Sequence, residues 1–156
     1  MMMNLSYNVL KALSGKTLVT AESCTGGGIG AALTAIPGCS EIYKGGIISY
    51  TNWVKNRVLD VEAGLLKECG AVSGPVAESM ALGVRKLLCA DIAVSVTGLA
   101  GPGGDEFGNP VGTVFVGYCD DKKLFSKKYL FAGDREAVRE QAVRAALELI
   151  LCENRE

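Results

Sequence analysis

A chain of 156 residues, 49% hydrophobic and 21% charged, has the size and balance of one ordinary globular domain, which excludes a disordered or fibrous chain. Sixteen lysines and arginines against seventeen aspartates and glutamates leave a net charge of −1, so neither nucleic acid nor an anionic membrane is expected as a partner. No apolar run approaches the roughly 20 residues that span a bilayer.

The opening MMMNLSYNVLKALSGK is polar and helical in pattern rather than a signal peptide, and Leu5, Val9, Leu10 and Leu13 predict an amphipathic first helix. Lys16–Ala21 (KTLVTA) is a short β-rich run that stops at the polar turn ESCTGGG. Beyond it Ile29, Leu33 and Ile36 predict a helix ending at Pro37-Gly38. Gly45–Thr51 (GGIISYT) reads as a strand, followed by an irregular, partly helical stretch through Cys69. Ser73 as N-cap and Pro75 in the first turn open a helix whose Val76, Met80, Val84 and Leu87 keep the period.

Asp91–Thr97 (DIAVSVT) is a nearly continuous apolar run, the mark of a strand covered on both faces, and a loop with five glycines, GLAGPGGDEFGNP, follows it. Val111–Cys119 and Lys122–Ala132 read as two strands of a hairpin joined at Asp120-Asp121. Asp134 then caps a last helix running to about Cys152. Strands alternating with helices and closed by a hairpin predict a single α/β domain over residues 1–156. Its architecture is a three-layer α/β/α sandwich around a mixed, mostly parallel sheet of about five strands. The six cysteines (24, 39, 69, 89, 119 and 152) are spread without CxxC spacing. They read as reduced thiols of a cytoplasmic protein, and no zinc site is expected.

Two loops, ESCTGG and TGLAGPGG, each follow a predicted buried strand, and ligands of α/β sheets sit beyond the carboxyl ends of such strands. In the first, Ser23 or Thr25 either caps the following helix or belongs to a nucleophilic turn whose backbone N–H groups hold an anion. The chain contains no histidine, so a serine nucleophile needs another base. A lysine neutralised by burial can serve, and the candidates are Lys55 in SYTNWVK, Lys44 and Lys16. Cys24 is the rival nucleophile, or else a small packing residue. The second loop matches neither GxxxxGK[ST] nor GxGxxG, and its adjacent Asp105 and Glu106 read as solvated acids rather than metal ligands. Arg135 and Arg139 stand four apart at the start of the last helix and suit either a phosphate or ordinary ion pairs along that helix.

In order along the chain, TAESCTGG, GGIISYTNWVK, GAVSGPVAESMA, SVTGLAGPGG, PVGTVFVG and GDREAVREQA make it resemble the C-terminal domain family of the competence/damage-inducible protein CinA, from about residue 10 to 150. The length is similar to that of the stand-alone members, which are nicotinamide-nucleotide amidases, and not to full-length CinA with its additional pyrophosphatase domain. The resemblance implies that Ser23 is the nucleophile, Lys55 its partner and Tyr50 a support to it. The same resemblance implies that Thr97, Gly98, Ala100 and Gly101 line the substrate pocket and that Arg135 meets the phosphate. Arg139 is added on helical spacing.

The implied reaction is deamidation of nicotinamide mononucleotide to nicotinic acid mononucleotide and ammonia through an acyl-enzyme. Backbone N–H groups around Cys24, Thr25 and Gly26 would hold the oxyanion. No cofactor or metal is called for, and a homo-oligomer, by default a dimer, is expected. Two other readings stay open: an amidase that depends on Cys24, and a non-catalytic pyridine-nucleotide-binding module.

Overall fold

The apolar runs form the centre of a five-stranded sheet, in a computed structural model that describes residues 1–155. Strands β1 (Leu18–Glu22), β2 (Tyr43–Ile48), β3 (Ile92–Gly98), β4 (Thr113–Cys119) and β5 (Leu124–Leu130) lie in the order β2-β1-β3-β4-β5. β1 pairs in parallel with β2 and β3, while β4 pairs antiparallel with β3 and β5, so β4 alone runs against the others. This is the mixed, mostly parallel sheet that the alternating pattern predicts.

Helices α1 (Met2–Ala12), α2 (Gly28–Thr34) and α6 (Arg135–Glu153) cover one face. Helices α3 (Asn52–Leu59), α4 (Ala63–Cys69) and α5 (Gly74–Leu88) cover the other. Because successive strand side chains point to opposite faces, β1 and β3 supply both cores. Leu18, Ile92, Val94 and Val96 pack under α1 and α6, whereas Val19, Ala21 and Ala93 pack under α5. The α5 side is built from small residues, which lets that helix lie close to the sheet. A Cβ on Gly117 of β4 would strike the Ala77 carbonyl of α5.

The helix starts follow the sequence signals: Ser73 accepts from Val76 N–H at the head of α5, and Asp134 accepts from Ala137 N–H at the head of α6. Several boundaries differ from the expectation: β1 runs over Leu18–Glu22 rather than Lys16–Ala21, α2 ends at Thr34, and both hairpin strands are shorter than Val111–Cys119 and Lys122–Ala132. β2 begins at Tyr43, two residues before the glycine pair, because Tyr43 is anchored to β1 by a 2.7 Å hydrogen bond between its hydroxyl and that of Thr20. It also stops at Ile48, leaving residues 49–51 to turn into α3, whose first turn Thr51 caps by accepting from Val54 N–H. The irregular stretch resolves into α3 and α4, separated where Asp60 adopts a left-handed conformation (φ 56°).

The register sets the site. Glu22 pairs with Ile48 on one side and Val96 on the other, so the residues that follow these three partners emerge along one edge of the sheet. The close contact of α3 with α5 fixes one wall of that edge. A Cβ on Gly83 would collide with the carbonyl of Leu59 at the end of α3. Gly83→Ala should therefore cost about 1–3 kcal/mol of stability by overpacking, seen as a lower urea midpoint with an unchanged slope. An unchanged midpoint would show that α3 and α5 have room to part.

Candidate active site

β1 is prolonged by one residue, as Ser23 N–H donates to the carbonyl of Val96 at 3.0 Å. The chain then turns sharply: Gly26 N–H donates to Ser23 C=O at 3.1 Å, and Gly28 N–H to Thr25 C=O at 3.0 Å. Gly26 (φ 59°) and Gly27 (φ 103°) take the left-handed conformations this turn requires. Pleat alternation sends Glu22 and Ser23 to opposite faces.

Glu22, 2% exposed, accepts from Thr25 Oγ1 (2.6 Å), Ile29 N–H (2.9 Å) and Gly30 N–H (3.1 Å). This corrects the expectation for the loop. Neither Ser23 nor Thr25 caps α2 through its side chain, and the first-turn amides of that helix are not free to hold an anion, because the Glu22 carboxyl takes those of Ile29 and Gly30 and the Thr25 carbonyl takes that of Gly28. Gly26 N–H is likewise engaged. The amides of Cys24, Thr25 and Gly27 are the ones in this turn that bond no oxygen acceptor among the described residues.

Ser23 faces α3, where Lys55 projects inward one turn after the Thr51 cap and is 1% exposed. The Lys55 Nζ lies 3.0 Å from Ser23 Oγ, 2.7 Å from Ser49 C=O and 3.4 Å from Tyr50 C=O. No carboxylate pairs with it among the described residues. Burial lowers the Lys55 pKa from 10.5 to about 8, with the neighbouring Cys24 pulling the other way. Lys44 and Lys16 are exposed, and Lys44 Nζ donates to Ser40 C=O instead. Of the three candidate lysines, Lys55 is the one that reaches Ser23.

The Cys24 thiol, 5% exposed, belongs to the core under α6. Burial pushes it up to about 11, and its own backbone amide, Lys55 and Arg139 offset only part of that rise. A thiol held there is protonated at neutral pH and so is a poor nucleophile.

Ser23 and Lys55 open into a cavity of about 370 Å³, within the range that takes a small ligand. Thr97, Gly98, Ala100 and Gly101 form one wall, Ala71 and Val72 another, and Thr97 Oγ1 donates to Ala71 C=O at 2.8 Å to tie the two together. Arg135 stands at the rim, donating from Nη1 to Gly101 C=O (2.7 Å) and from Nη2 to the Tyr50 hydroxyl (3.2 Å). Tyr50 itself is 57% exposed, and its phenol lies against Arg135 rather than Lys55. What it offers Lys55 is its carbonyl.

Gly26 and the side chains of Thr25 and Arg139 do not line the cavity. Arg139 instead donates from Nε to Cys24 C=O (3.0 Å) and from Nη2 to Thr25 C=O (3.3 Å). The two arginines predicted to share a face thus part company, one at the rim and one against the turn that carries Ser23. Asp105 is taken up locally, accepting from the backbone of Phe107 and from Asn109.

Glu22, Ala71, Val72 and the Ser49 carbonyl were not singled out by sequence reasoning. For Glu22 the signal was present: a polar residue next to Ser23 in a strand must point into the opposite layer. Larger depressions, about 540 Å³ beside Asn8 and Leu151 and about 500 Å³ beside Trp53 and Phe107, lack a nucleophile paired with a base.

The family model of the CinA C-terminal domain matches residues 3–153. The nicotinamide-nucleotide amidohydrolase PncC of Pseudomonas putida is 46% identical over 134 residues, covering 86% of this chain and 84% of that protein. A CinA-like protein of Synechococcus sp. (strain CC9311) is 57% identical over 115 residues, 72% of this chain and 27% of that protein. The chain spans less than a third of the length of this and other CinA-like relatives. The crystal structure of a CinA superfamily protein from Klebsiella pneumoniae 700603 is similar with a TM-score of 0.95 at 37% identity, covering 98% of this chain and 97% of that one. No helix among the described residues is long and apolar enough to cross a membrane.

The depressed Lys55 pKa has a thermodynamic signature. Between about 8 and 10.5 the unfolded chain carries a proton on Lys55 that the folded chain has released, so this group makes stability rise with pH across that window. The unfolding free energy of wild type minus that of Lys55→Met should therefore shift in favour of wild type from pH 8 to pH 10. A flat difference would show that Lys55 titrates normally.

Proposed function

The chain belongs to the CinA C-terminal domain family, and we propose that it is an amidohydrolase converting nicotinamide mononucleotide to nicotinic acid mononucleotide and ammonia. The observation that carries this reading is the 3.0 Å contact between Ser23 Oγ and a buried lysine amine whose pKa is brought down to about 8. The amidohydrolase named above supports the choice of substrate, since it shares 46% of residues over most of both chains.

A neutral lysine amine has two N–H groups and one lone pair. The carbonyls of Ser49 and Tyr50 accept the two N–H groups, which turns the lone pair towards Ser23. As Ser23 Oγ attacks the carboxamide carbon, Lys55 takes its proton. The carbonyl oxygen becomes an oxyanion facing the amides of Cys24 and Thr25. Protonated Lys55 then delivers its proton to the nitrogen as the C–N bond breaks, because ammonia and not amide ion must leave. Water adds to the resulting Ser23 ester with Lys55 again as base, releasing the carboxylate and restoring the serine.

Arg135 is the group placed for the phosphate. Its two present partners, a carbonyl and a phenol, are neutral, and a phosphate would displace one or both with a stronger charge-assisted pair. The buried, protonated Cys24 thiol argues against the cysteine-dependent alternative.

Ammonia release measured without added metal tests the reading. Ser23→Ala should lower kcat by about 10³-fold or more, as loss of a nucleophile does in related dyads and triads, while Cys24→Ala should keep most of the activity. The opposite pattern would make this a thiol enzyme. Folded wild type that releases no ammonia would leave a nucleotide-binding module. In wild type, kcat/KM should rise with pH through an apparent pKa of about 8, since the base acts when neutral. Arg135→Ala should raise KM for the mononucleotide by about 10- to 100-fold, the worth of a charged hydrogen bond, and leave turnover of the phosphate-free riboside nearly unchanged. An equal effect on both would remove Arg135 from the phosphate.

A further inference from the structure

Two residues outside the cavity close on the turn that carries Ser23. Glu22 gathers three donors into one buried carboxyl, one from the turn (Thr25 Oγ1) and two from the start of α2 (Ile29 and Gly30 N–H). It thereby fixes the turn relative to the helix. Thr25 is 1% exposed, so this contact is shielded from water. Arg139 grips the same turn with its planar fork across two successive carbonyls, those of Cys24 and Thr25.

A trans peptide holds its C=O and N–H in opposite directions. The Cys24 carbonyl points at Arg139, so the Thr25 N–H on the same peptide plane points away from it. A guanidinium on that carbonyl also polarises the peptide and strengthens the N–H as a donor. The Thr25 carbonyl is held in the same way, and the Gly26 N–H of its plane closes the turn onto Ser23 C=O.

We infer that Glu22 and Arg139 are positioning residues that clamp the 23–26 turn and aim the Cys24 and Thr25 amides for the oxyanion, and that Arg139 is not a phosphate ligand. The assignment rests on the amidase reading of the same site. It gives a role to a buried acid and an arginine that neither line the cavity nor take part in proton transfer.

The test uses the full chain with Arg139→Gln, Arg139→Lys, Thr25→Val and Thr25→Ser. Two readouts are taken: steady-state hydrolysis of nicotinamide mononucleotide, and the rate at which a fluorophosphonate labels Ser23, followed by intact mass. The second requires the nucleophile and the oxyanion amides but no pyridine substrate. Arg139→Gln and Thr25→Val should lower kcat by about 10-fold or more, because small misplacement of reacting groups is costly. They should slow labelling by the same factor and leave KM within about twofold, the change reserved for groups that act in the transition state and not in ground-state binding.

Thr25→Ser, which keeps the hydroxyl donor to Glu22, should restore both rates, and Arg139→Lys, which lacks the fork, should restore them only in part. Folded Arg139→Gln with wild-type kcat and labelling would overturn the clamp. So would a raised KM at unchanged kcat, which would return Arg139 to the substrate. Wild type that labels at Ser23 yet releases no ammonia from the mononucleotide would refute the substrate reading alone, and the labelling rates of the variants would still decide on the clamp. Wild type that neither labels nor hydrolyses would overturn both.

Discussion

The structure turns on one buried amine. A lysine head group without a carboxylate partner is costly to enclose in its charged form, and Lys55 is enclosed almost completely. Three oxygens surround its nitrogen, two backbone carbonyls and the Ser23 hydroxyl, and none carries a full charge. Such a shell satisfies hydrogen bonding without stabilising the ammonium as an ion pair would. The amine is therefore held near the point where it exchanges a proton at ordinary pH, in a chain that has no histidine to do so. An aspartate or glutamate at the same distance would have returned Lys55 to the ordinary range and made it an anchor.

The geometry that delivers Lys55 to Ser23 comes from parallel pairing. β1 lies between β2 and β3, and their ends are in register, so Ser23, the Ser49 carbonyl and Thr97 emerge together at one edge. The parity of β1 then separates tasks. Odd positions (Val19, Ala21, Ser23) face the α3–α5 layer, where Lys55 lies. Even positions (Leu18, Thr20, Glu22) face the α2–α6 layer, where the turn is braced. One strand end thus provides both the hydroxyl that meets Lys55 and the fixture for the loop behind it.

Much of this was legible in the sequence, where signals are local. DIAVSVT was readable as a doubly covered strand, Ser73 and Asp134 as caps, and the Asp120 turn as a hairpin, in which Asp120 accepts from the N–H groups of Lys122 and Lys123. The start of β2 was obscured because Gly45 and Gly46 disguise a strand that Tyr43 anchors. Lys55 could not be separated from Lys16 and Lys44 by residue type, since what distinguishes it is burial by distant elements. The partition of Arg135 and Arg139 was equally invisible, because helical spacing puts them on one face and only the seating of α6 against the 23–26 turn divides them. Glu22 was overlooked although strand parity points to it.

The distances along the chain have a consequence for the protein's life before it is folded. Ser23 and Lys55 are 32 residues apart, and β1 reaches its partner β3 only after α2 to α5 have been threaded between them. In an extended or half-formed chain Lys55 is hydrated and keeps the proton of an ordinary lysine, and Ser23 is an ordinary alcohol. The Ser23–Lys55 contact and the lowered lysine pKa are properties of the completed topology and not of either residue. A nascent or unravelled chain of this sequence lacks that contact, and the pair is assembled in the same cooperative step that closes the parallel core.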